Sequence, residues 1–287
     1  MFSTETQRTF KHSYGLHIAV ECIVPKYATT FAHFVSLRIN EYLQRFFTAF
    51  NLLIESDSNK PYVVLKDYDS VTEYATVSKE QMELLHGLAT GDSVPTAAKL
   101  FAEATRLHLL STAYIWPRVH SGHIVVSSNL LNGLYFSIGT TTTDSTLHLE
   151  QIACERNPNF TAMLKVPDVE AIGHVKRSEP DLDAETVMGY ARTLQNAFIA
   201  RCHRSQQVSD RNVDETAPVH VLTILNPSME TSPDSAFIAI KDEANRFVDA
   251  VIVPVLIRRL TIDLNSEVAV NFSTSMQVLA SDIQPSE

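Results

Sequence analysis

Two histidines separated by two residues, His120 and His123, are the only closely spaced histidine pair in the sequence. Imidazole nitrogens bind zinc, so this pair and a carboxylate from a distant segment could form a three-ligand catalytic site. The usual companions are absent, because the chain has no H-E-x-x-H and no C-x-x-C sequence. With 11 histidines, one pair at this spacing is expected by chance. We therefore assign no metal ligands and interpret the pair as a loop histidine and a strand-initiating histidine.

A thiol lies next to a base at one place, where Cys202 precedes His203. A cysteine nucleophile is activated by a base within hydrogen-bonding reach. Neighbouring residues of a helix point roughly 100° apart, so these two side chains do not face each other. Cys202 also continues an apolar stripe, where a small buried side chain is the simpler interpretation.

Paired carboxylates occur at Asp67 and Asp69, after a predicted strand, and at Asp181 and Asp183, in an acidic helix start. Because no glycine-rich loop or partner lysine accompanies them, a magnesium–phosphate site is not supported and both pairs are interpreted as solvated turn residues. We expect no catalytic, cofactor-binding or metal-binding residues. The enzyme alternative is a metal-dependent or cysteine hydrolase assembled from distant residues, for which the first residues to test are His120, His123, Asp67, Asp69 and Cys202.

Glycine is scarce, with 8 residues in 287, where average usage of ~7% gives about 20. Most phosphate, nucleotide and oxyanion sites need glycine at set spacings, because the backbone must approach the ligand closely. The chain contains no G-x-G-x-x-G, no G-x-x-x-x-G-K-[ST] and no G-x-S-x-G sequence. These absences count against dinucleotide-binding, P-loop and α/β-hydrolase sites.

The composition is that of a globular protein, with 45% hydrophobic and 20% charged residues. A net charge of -10 repels phosphate backbones, so general nucleic-acid binding is not expected. No apolar run approaches the roughly 20 residues that span a bilayer, so no membrane span is expected. The polar first residues predict no signal peptide. Three scattered cysteines predict reduced thiols and a cytoplasmic location. If the protein is viral, the corresponding location is the host cytoplasm or the virion.

Hydrophobic periodicity and turn signals predict the elements that would position these residues. A helix over 29–54 carries an apolar stripe through seven turns. A second helix, over 95–114, is expected to end at Trp116 and Pro117. Further helices are predicted to start at 78, 178 and 232. The predicted strands cover 16–24, 62–66, 123–128, 134–138, 146–152 and 219–225, with two or three more in 255–279.

The predicted fold is α+β, with one or two mixed or antiparallel sheets packed by four or five amphipathic helices. Strand, proline, long helix, proline and strand recur around Pro25 and Pro61 and again around Pro227 and Pro254. A duplicated β-α-β unit and chance recurrence both explain this pattern. The polar stretch 203–218 suggests a boundary between a main domain, 1–203, and a β-α-β-rich segment, 204–287, that is either separate or part of the same domain.

No motif in the sequence identifies a family. The lack of catalytic motifs favours a non-enzymatic structural or assembly protein that works through self-association or contacts with other proteins, with a viral or phage setting as one context. The contacts would come from strand edges near 140–143, the tail after Val255 and the termini. A second alternative is nucleic-acid binding by a local basic patch around Lys176 and Arg177 or Arg201 and Arg204.

Overall fold

The computed structural model describes residues 8–9, 15–49, 52–53, 63–66, 79–91, 93–131, 134, 148–149, 158–178, 180–181, 183–209, 219–223 and 232–262. Within these ranges the strands form a two-stranded and a five-stranded sheet. In chain order the strands are β1 (Arg8–Thr9), β2 (Leu16–Cys22), β3 (Leu52–Leu53), β4 (Val63–Lys66), β5 (Ile124–Ser128), β6 (Phe160–Lys165) and β7 (Val219–Thr223).

The larger sheet has the order β4-β5-β2-β6-β7, and each neighbouring pair in it is parallel. The smaller sheet pairs β1 with β3, also in parallel. The mixture of helices and strands is confirmed, but the expectation of a mixed or antiparallel sheet is wrong for the described strands. Every residue of β2 and β5 is buried, which is typical of parallel strands covered by helices on both faces.

Six helical segments are described, rather than four or five, and two of them contain a π-helical turn. Parallel neighbouring strands must be joined by a long crossover connection, and most of these helical segments lie in such a connection. The segments are α1 (Pro25–Ala49), α2 (Lys79–Thr90), α3 (Thr96–Leu110) continuing through a π-helical turn (Ser111–Ile115) into α4 (Trp116–His120), α5 (Asp168–Ser178), α6 (Ala184–Ser209), and α7 (Pro233–Phe247) continuing through a π-helical turn (Val248–Ile252) into α8 (Val253–Ile262).

The core lies on both faces of the five-stranded sheet. Alternate residues of β2, including Ile18 and Val20, pack with α1 and α7 on one face, where the Phe31 and Phe247 rings are 6.1 Å apart. Val125 and Met163 point to the opposite face, which α3, α4 and α6 cover. Each large apolar side chain buried in this way contributes roughly 1.5–3 kcal/mol.

Two prolines predicted to end a helix lie inside continuous helical segments. Pro117 occupies the first turn after one π-helical turn, and Pro254 the first turn after the other. Proline lacks the N–H group that would bond within an α-helix, and its ring crowds the carbonyl group four residues earlier. A π-helical turn is wider than an α-helical turn, so it accommodates both the missing bond and the ring. The strand predicted at the start of 255–279 is a helix, because α8 runs to Ile262. The second copy of the predicted β-α-β unit does not have its closing strand at this place, and the duplication is not confirmed.

Several local predictions fall partly outside the described residues. The turn at 56–61, the threonine tract at 140–143 and the tail from 263 onward are not described. In the predicted hairpin region, the described residues Leu134, His148 and Leu149 have helical backbone rather than strand. The polar residues 178–181 do not start a helix, because α5 ends at Ser178 and Asp183 caps α6 by accepting the N–H groups of Glu185 and Thr186.

The C-terminal part of the chain contributes to the same sheet. β7 pairs with β6, with Ala162 opposite His220 and Leu164 opposite Leu222. α7 packs on α1, where the Phe34 and Phe237 rings are 4.7 Å apart. Residue 203, at the suggested boundary, lies within α6. The division into 1–203 and 204–287 stays a prediction.

Candidate functional site

In an open parallel sheet, ligands bind beyond the carboxyl ends of the strands, at the point where neighbouring connections leave in opposite directions. From β2 the chain continues through α1 to β4 on one side of the sheet, and from β6 it continues through α5 and α6 to β7 on the other side. That point therefore lies between β2 and β6. We call the β2–α1 turn, the β6–α5 turn and the first turns of α1 and α5 the β2–β6 crevice.

The turn between β2 and α1 is tight and closed by its own hydrogen bonds. Ile23 and Val24 are buried, and the Val24 N–H donates to Cys22 Sγ at 3.4 Å. The Tyr27 N–H donates to the Val24 carbonyl at 3.1 Å. α1 then begins with Pro25, which has no N–H to offer. A phosphate cradle at this position uses glycine and free N–H groups, and this turn has neither a glycine nor a donor at Pro25.

An ion pair joins the two helices that border the crevice. Lys26 Nζ, in the first turn of α1, lies 3.1 Å from Glu170 Oε2, in the first turn of α5. The Glu170 side chain is 0% exposed, whereas that of Lys26 is 40% exposed. Helix N-termini attract negative charge, because their N–H groups point outward. The Glu170 carboxylate thus sits at the place in the fold where a ligand anion would be held.

A second buried carboxylate, Glu21, lies at the end of β2 and is 0% exposed. Burial raises its pKa to about 8, although hydrogen bonds from the backbone of Leu131 and Leu130 offset part of this rise. The Leu131 N–H lies 3.2 Å from both carboxylate oxygens of Glu21. Glu21 is therefore mostly protonated at neutral pH, and it holds the segment after β5 against the end of β2.

Cys22 is the buried thiol of the crevice. Burial raises its pKa to about 12, and the nearby Glu21 and Glu170 carboxylates add to the shift. A cysteine nucleophile or metal ligand must be a thiolate, so Cys22 is inert at neutral pH.

Asn129 connects the end of β5 to α1. Its backbone is left-handed, with φ of 56°, and its Nδ2 donates to the Pro25 carbonyl and to Thr29 Oγ1, both at 3.1 Å. Its own N–H donates to the Val20 carbonyl at 3.0 Å. The neighbouring Ser128 is 0% exposed, and its Oγ has no hydrogen-bond partner among the residues that the structure describes. Asn129 therefore fixes the first turn of α1 to the end of β5.

A serine–histidine pair in the core has the spacing of a nucleophile and its base. His17 Nε2 lies 2.8 Å from Ser127 Oγ, on adjacent central strands. Both side chains are buried, and burial lowers the pKa of His17 to about 3. The Trp116 ring closes over the histidine edge-on at 6.3 Å. A substrate cannot reach this hydroxyl, so we interpret the pair as a hydrogen bond within the core.

The predicted histidine pair lies at the opposite end of the sheet from the crevice, because His120 and His123 precede β5. His120 packs on Trp116, with ring centroids 5.7 Å apart. His123 Nδ1 lies 3.1 Å from Ser121 Oγ and 3.2 Å from the Arg118 carbonyl. Over the ranges that the structure describes, no three His, Cys, Asp or Glu residues form a group that could hold a metal ion.

The other candidates of the enzyme alternative cannot be placed relative to this site. Asp67 and Asp69 fall outside the described residues. Cys202 lies in α6, but its side chain is not described. The crevice residues were missed by sequence reasoning. Glu21 carries a signal, because it is a carboxylate inside an otherwise apolar strand, whereas nothing near Glu170 in the sequence marks it as the partner of Lys26.

In the described helices, no segment is both long and apolar enough to cross a membrane. No protein-family model matches this chain, and no curated protein is significantly similar to it in sequence.

Proposed function

We propose that this chain is a non-enzymatic protein that works through self-association or through contacts with other proteins of an assembly. The observation that carries the proposal is that the chain's own groups fill the β2–β6 crevice. Pro25 has no N–H group to donate at the start of α1, and the Glu170 carboxylate supplies the negative charge. The Glu21 carboxyl group accepts a hydrogen bond from the Leu131 N–H. Sheets of this class bind ligands at this position, and here a ligand would have to displace those groups.

The surface offers apolar side chains for such contacts. On α2 and α3, Leu84 is 65% exposed and Phe101 is 58% exposed. On α7, Ile238 is 59% exposed and Phe237 is 49% exposed, and the Phe237 ring contacts Phe34 of α1. Large apolar side chains exposed to solvent are candidates for protein-binding sites. These positions on α2, α3 and α7 replace the strand edges proposed from sequence as the first places to test.

The setting that we propose is the cytoplasm, or the virion if the protein is viral. The nucleic-acid alternative gains no support from the described residues. Lys176 and Arg177 lie in the last turn of α5, where cations offset the helix dipole. The side chains of Arg201 and Arg204 are not described.

The test is the absolute mass in solution by light scattering after size-exclusion chromatography, across a hundredfold range of concentration. We expect a mass that is a multiple of 32.0 kDa and is reached at a defined concentration. Leu84→Glu and Ile238→Glu report on α2 and α7, and one of them should lower the mass to that of a monomer. Their matched controls are Gln81→Glu and Ser235→Glu, which place the same charge on exposed polar positions of the same helices.

A monomer at every concentration would contradict self-association and leave contacts with other proteins as the form of the proposal to pursue. A monomer that also turns over a substrate would overturn the proposal altogether.

A further inference from the structure

Helix α7 presents two large apolar side chains on the side that faces away from the core. The residues that pack the helix onto the protein are Ala236, Ile240, Ala244 and Phe247. Ile238 lies two positions from both Ala236 and Ile240, so it points roughly 160° away from them. It is exposed, and so is its neighbour Phe237. The Phe237 ring contacts Phe34 of α1 edge-on at 4.7 Å, which holds it in a fixed orientation.

Opposite charges flank these two apolar residues. Asp234 lies three residues before Phe237, and Lys241 lies three residues after Ile238. Residues three and four apart are neighbours on a helix surface, so these four exposed residues form one continuous strip, which we call the α7 strip. Asp234 and Lys241 are roughly 10 Å apart along the helix axis, which is too far for them to pair with each other. Within the described ranges neither residue forms an ion pair.

The order of charges in the α7 strip is complementary to itself. A two-fold dimer brings the same patch of both copies together. When the two-fold axis crosses α7 between Phe237 and Ile238, the two copies of the helix run antiparallel. Asp234 and Lys241 each lie roughly 5 Å from that axis, on opposite sides of it. Asp234 of one copy therefore faces Lys241 of the other at both ends, and the apolar residues meet in the middle. Parallel helices in the same register would bring like charges together.

We propose that the α7 strip is the interface at which two copies of this chain form an antiparallel, two-fold symmetric dimer. The inference rests on the proposed function, since it is one form of self-association. It goes further, because it names the partner, the surface and the register. The net charge of -10 makes two copies repel each other at long range. A patch whose own charges are complementary is where this repulsion is offset.

The size of the strip sets the expected affinity. α7 has 15 residues, so the paired helices are roughly 22 Å long. Small interfaces form weak, transient complexes, and we expect a dissociation constant on the order of micromolar. Light scattering of the full chain across a hundredfold range of concentration spans this value.

The test reverses the charges one at a time and then combines the variants. Asp234→Lys and Lys241→Asp each put like charges opposite each other at both ends of the strip, so each alone should raise the dissociation constant at least tenfold. An equimolar mixture of the two variants should dimerise like the wild type, because the lysines of one then face the aspartates of the other. The double variant Asp234→Lys/Lys241→Asp should dimerise as well. Both single variants keep a net negative charge, so general attraction does not explain recovery in the mixture.

The matched control is Asp242→Lys, which makes the same change of charge at an exposed residue of the same helix. In the proposed register Asp242 lies level with Pro233 of the other copy and not with a charged residue, so the dissociation constant should change less than threefold. Asp234→Lys also removes a favourable negative charge from the first turn of α7. Lys241→Asp leaves that turn intact, so its tenfold loss tests the register even where Asp234→Lys does not fold.

Three results would overturn the inference. The first is a monomeric wild type at every concentration. The second is an unchanged dissociation constant for Lys241→Asp, or a mixture of the two folded single variants that stays monomeric. The third is a dimer that Leu84→Glu abolishes and Ile238→Glu does not, and this result would leave self-association in place while moving it to α2. The proposed function and the α7 interface thus fail on different measurements.

Discussion

Lys26 Nζ lies 3.1 Å from Glu170 Oε2, and through this contact the first turns of two helices meet at the centre of the sheet. The two partners differ in solvent exposure, since Glu170 is fully buried and Lys26 is 40% exposed. Removing a charge has different consequences on the two sides, because an exposed ammonium can be hydrated and a buried carboxylate cannot.

The two halves of this pair should therefore contribute unequally to stability. Lys26→Met leaves a buried carboxylate without this cation and should lower the free energy of unfolding by about 3 kcal/mol. Glu170→Gln leaves an ammonium that can turn toward water, and its cost should be clearly smaller. Urea unfolding of both variants at pH 7 measures the difference. If Glu170→Gln costs as much as Lys26→Met, the burial assigned to the carboxylate is wrong.

The stability of the protein should fall with rising pH because of Glu21. Its pKa is about 8 in the folded chain and about 4.5 when exposed. Between these values the folded state binds a proton that the unfolded state has lost, so the stabilisation is complete below about pH 4.5 and is lost as pH rises to about 8. The whole shift corresponds to a loss on the order of 5 kcal/mol.

Glu21→Gln removes this titration while keeping the shape of the side chain. We expect the variant to be more stable than the wild type at pH 8.5, and the gap to narrow toward pH 5. Urea unfolding at pH 5, 7 and 8.5 measures it, with the exposed Glu185→Gln as the control. An identical pH dependence in the variant and the wild type would contradict the burial of an ionisable Glu21.

Two glycines should respond in opposite ways to alanine. A Cβ on Gly15 would lie 2.2 Å from the His123 carbonyl oxygen and 2.3 Å from that of Val119. Those backbone atoms hold the start of β2 against the turn before β5, so Gly15→Ala should cost about 3 kcal/mol or prevent folding. A Cβ on Gly87, within α2, would meet no atom within 4 Å, and Gly87→Ala should stabilise by about 1 kcal/mol. Thermal unfolding of both variants tests the pair, and a loss with Gly87→Ala would contradict its open surroundings.

Asn129 should show separate backbone and side-chain contributions. Asn129→Gly permits the φ of 56° but loses the bonds to Pro25 and Thr29, and should cost about 1 kcal/mol. Asn129→Ala also forces alanine into the left-handed region, which adds about 1–2 kcal/mol. Chemical denaturation of the two variants gives the difference, and equal losses would show that the side-chain bonds alone fix this residue.

The local periodicity of the sequence predicts those helices and strands whose conformation does not depend on tertiary contacts. The buried strand β2, the long helix α1 and the start of α2 follow from apolar spacing and capping residues. The helix through Trp116–Pro117 and the helix at Val253–Ile262 do not, because each depends on a π-helical turn just before the proline. Packing against the sheet stabilises those turns, and packing is not a local property of the chain.

The tertiary structure decided which strands pair with each other and which charged side chains neutralise each other. The apolar runs of β2 and β5 indicate burial on both faces, but strand direction depends on crossovers that bring distant segments side by side. In the crevice, the glycine-poor β2–α1 turn and Pro25 can be read from the sequence. The sequence separates Lys26 and Glu170 by 144 positions, and a contact between such distant residues leaves no mark on either local pattern. The sequence by itself thus determined that the β2–α1 turn has no phosphate cradle, and only the folded sheet brought Glu170 to the charge that it neutralises.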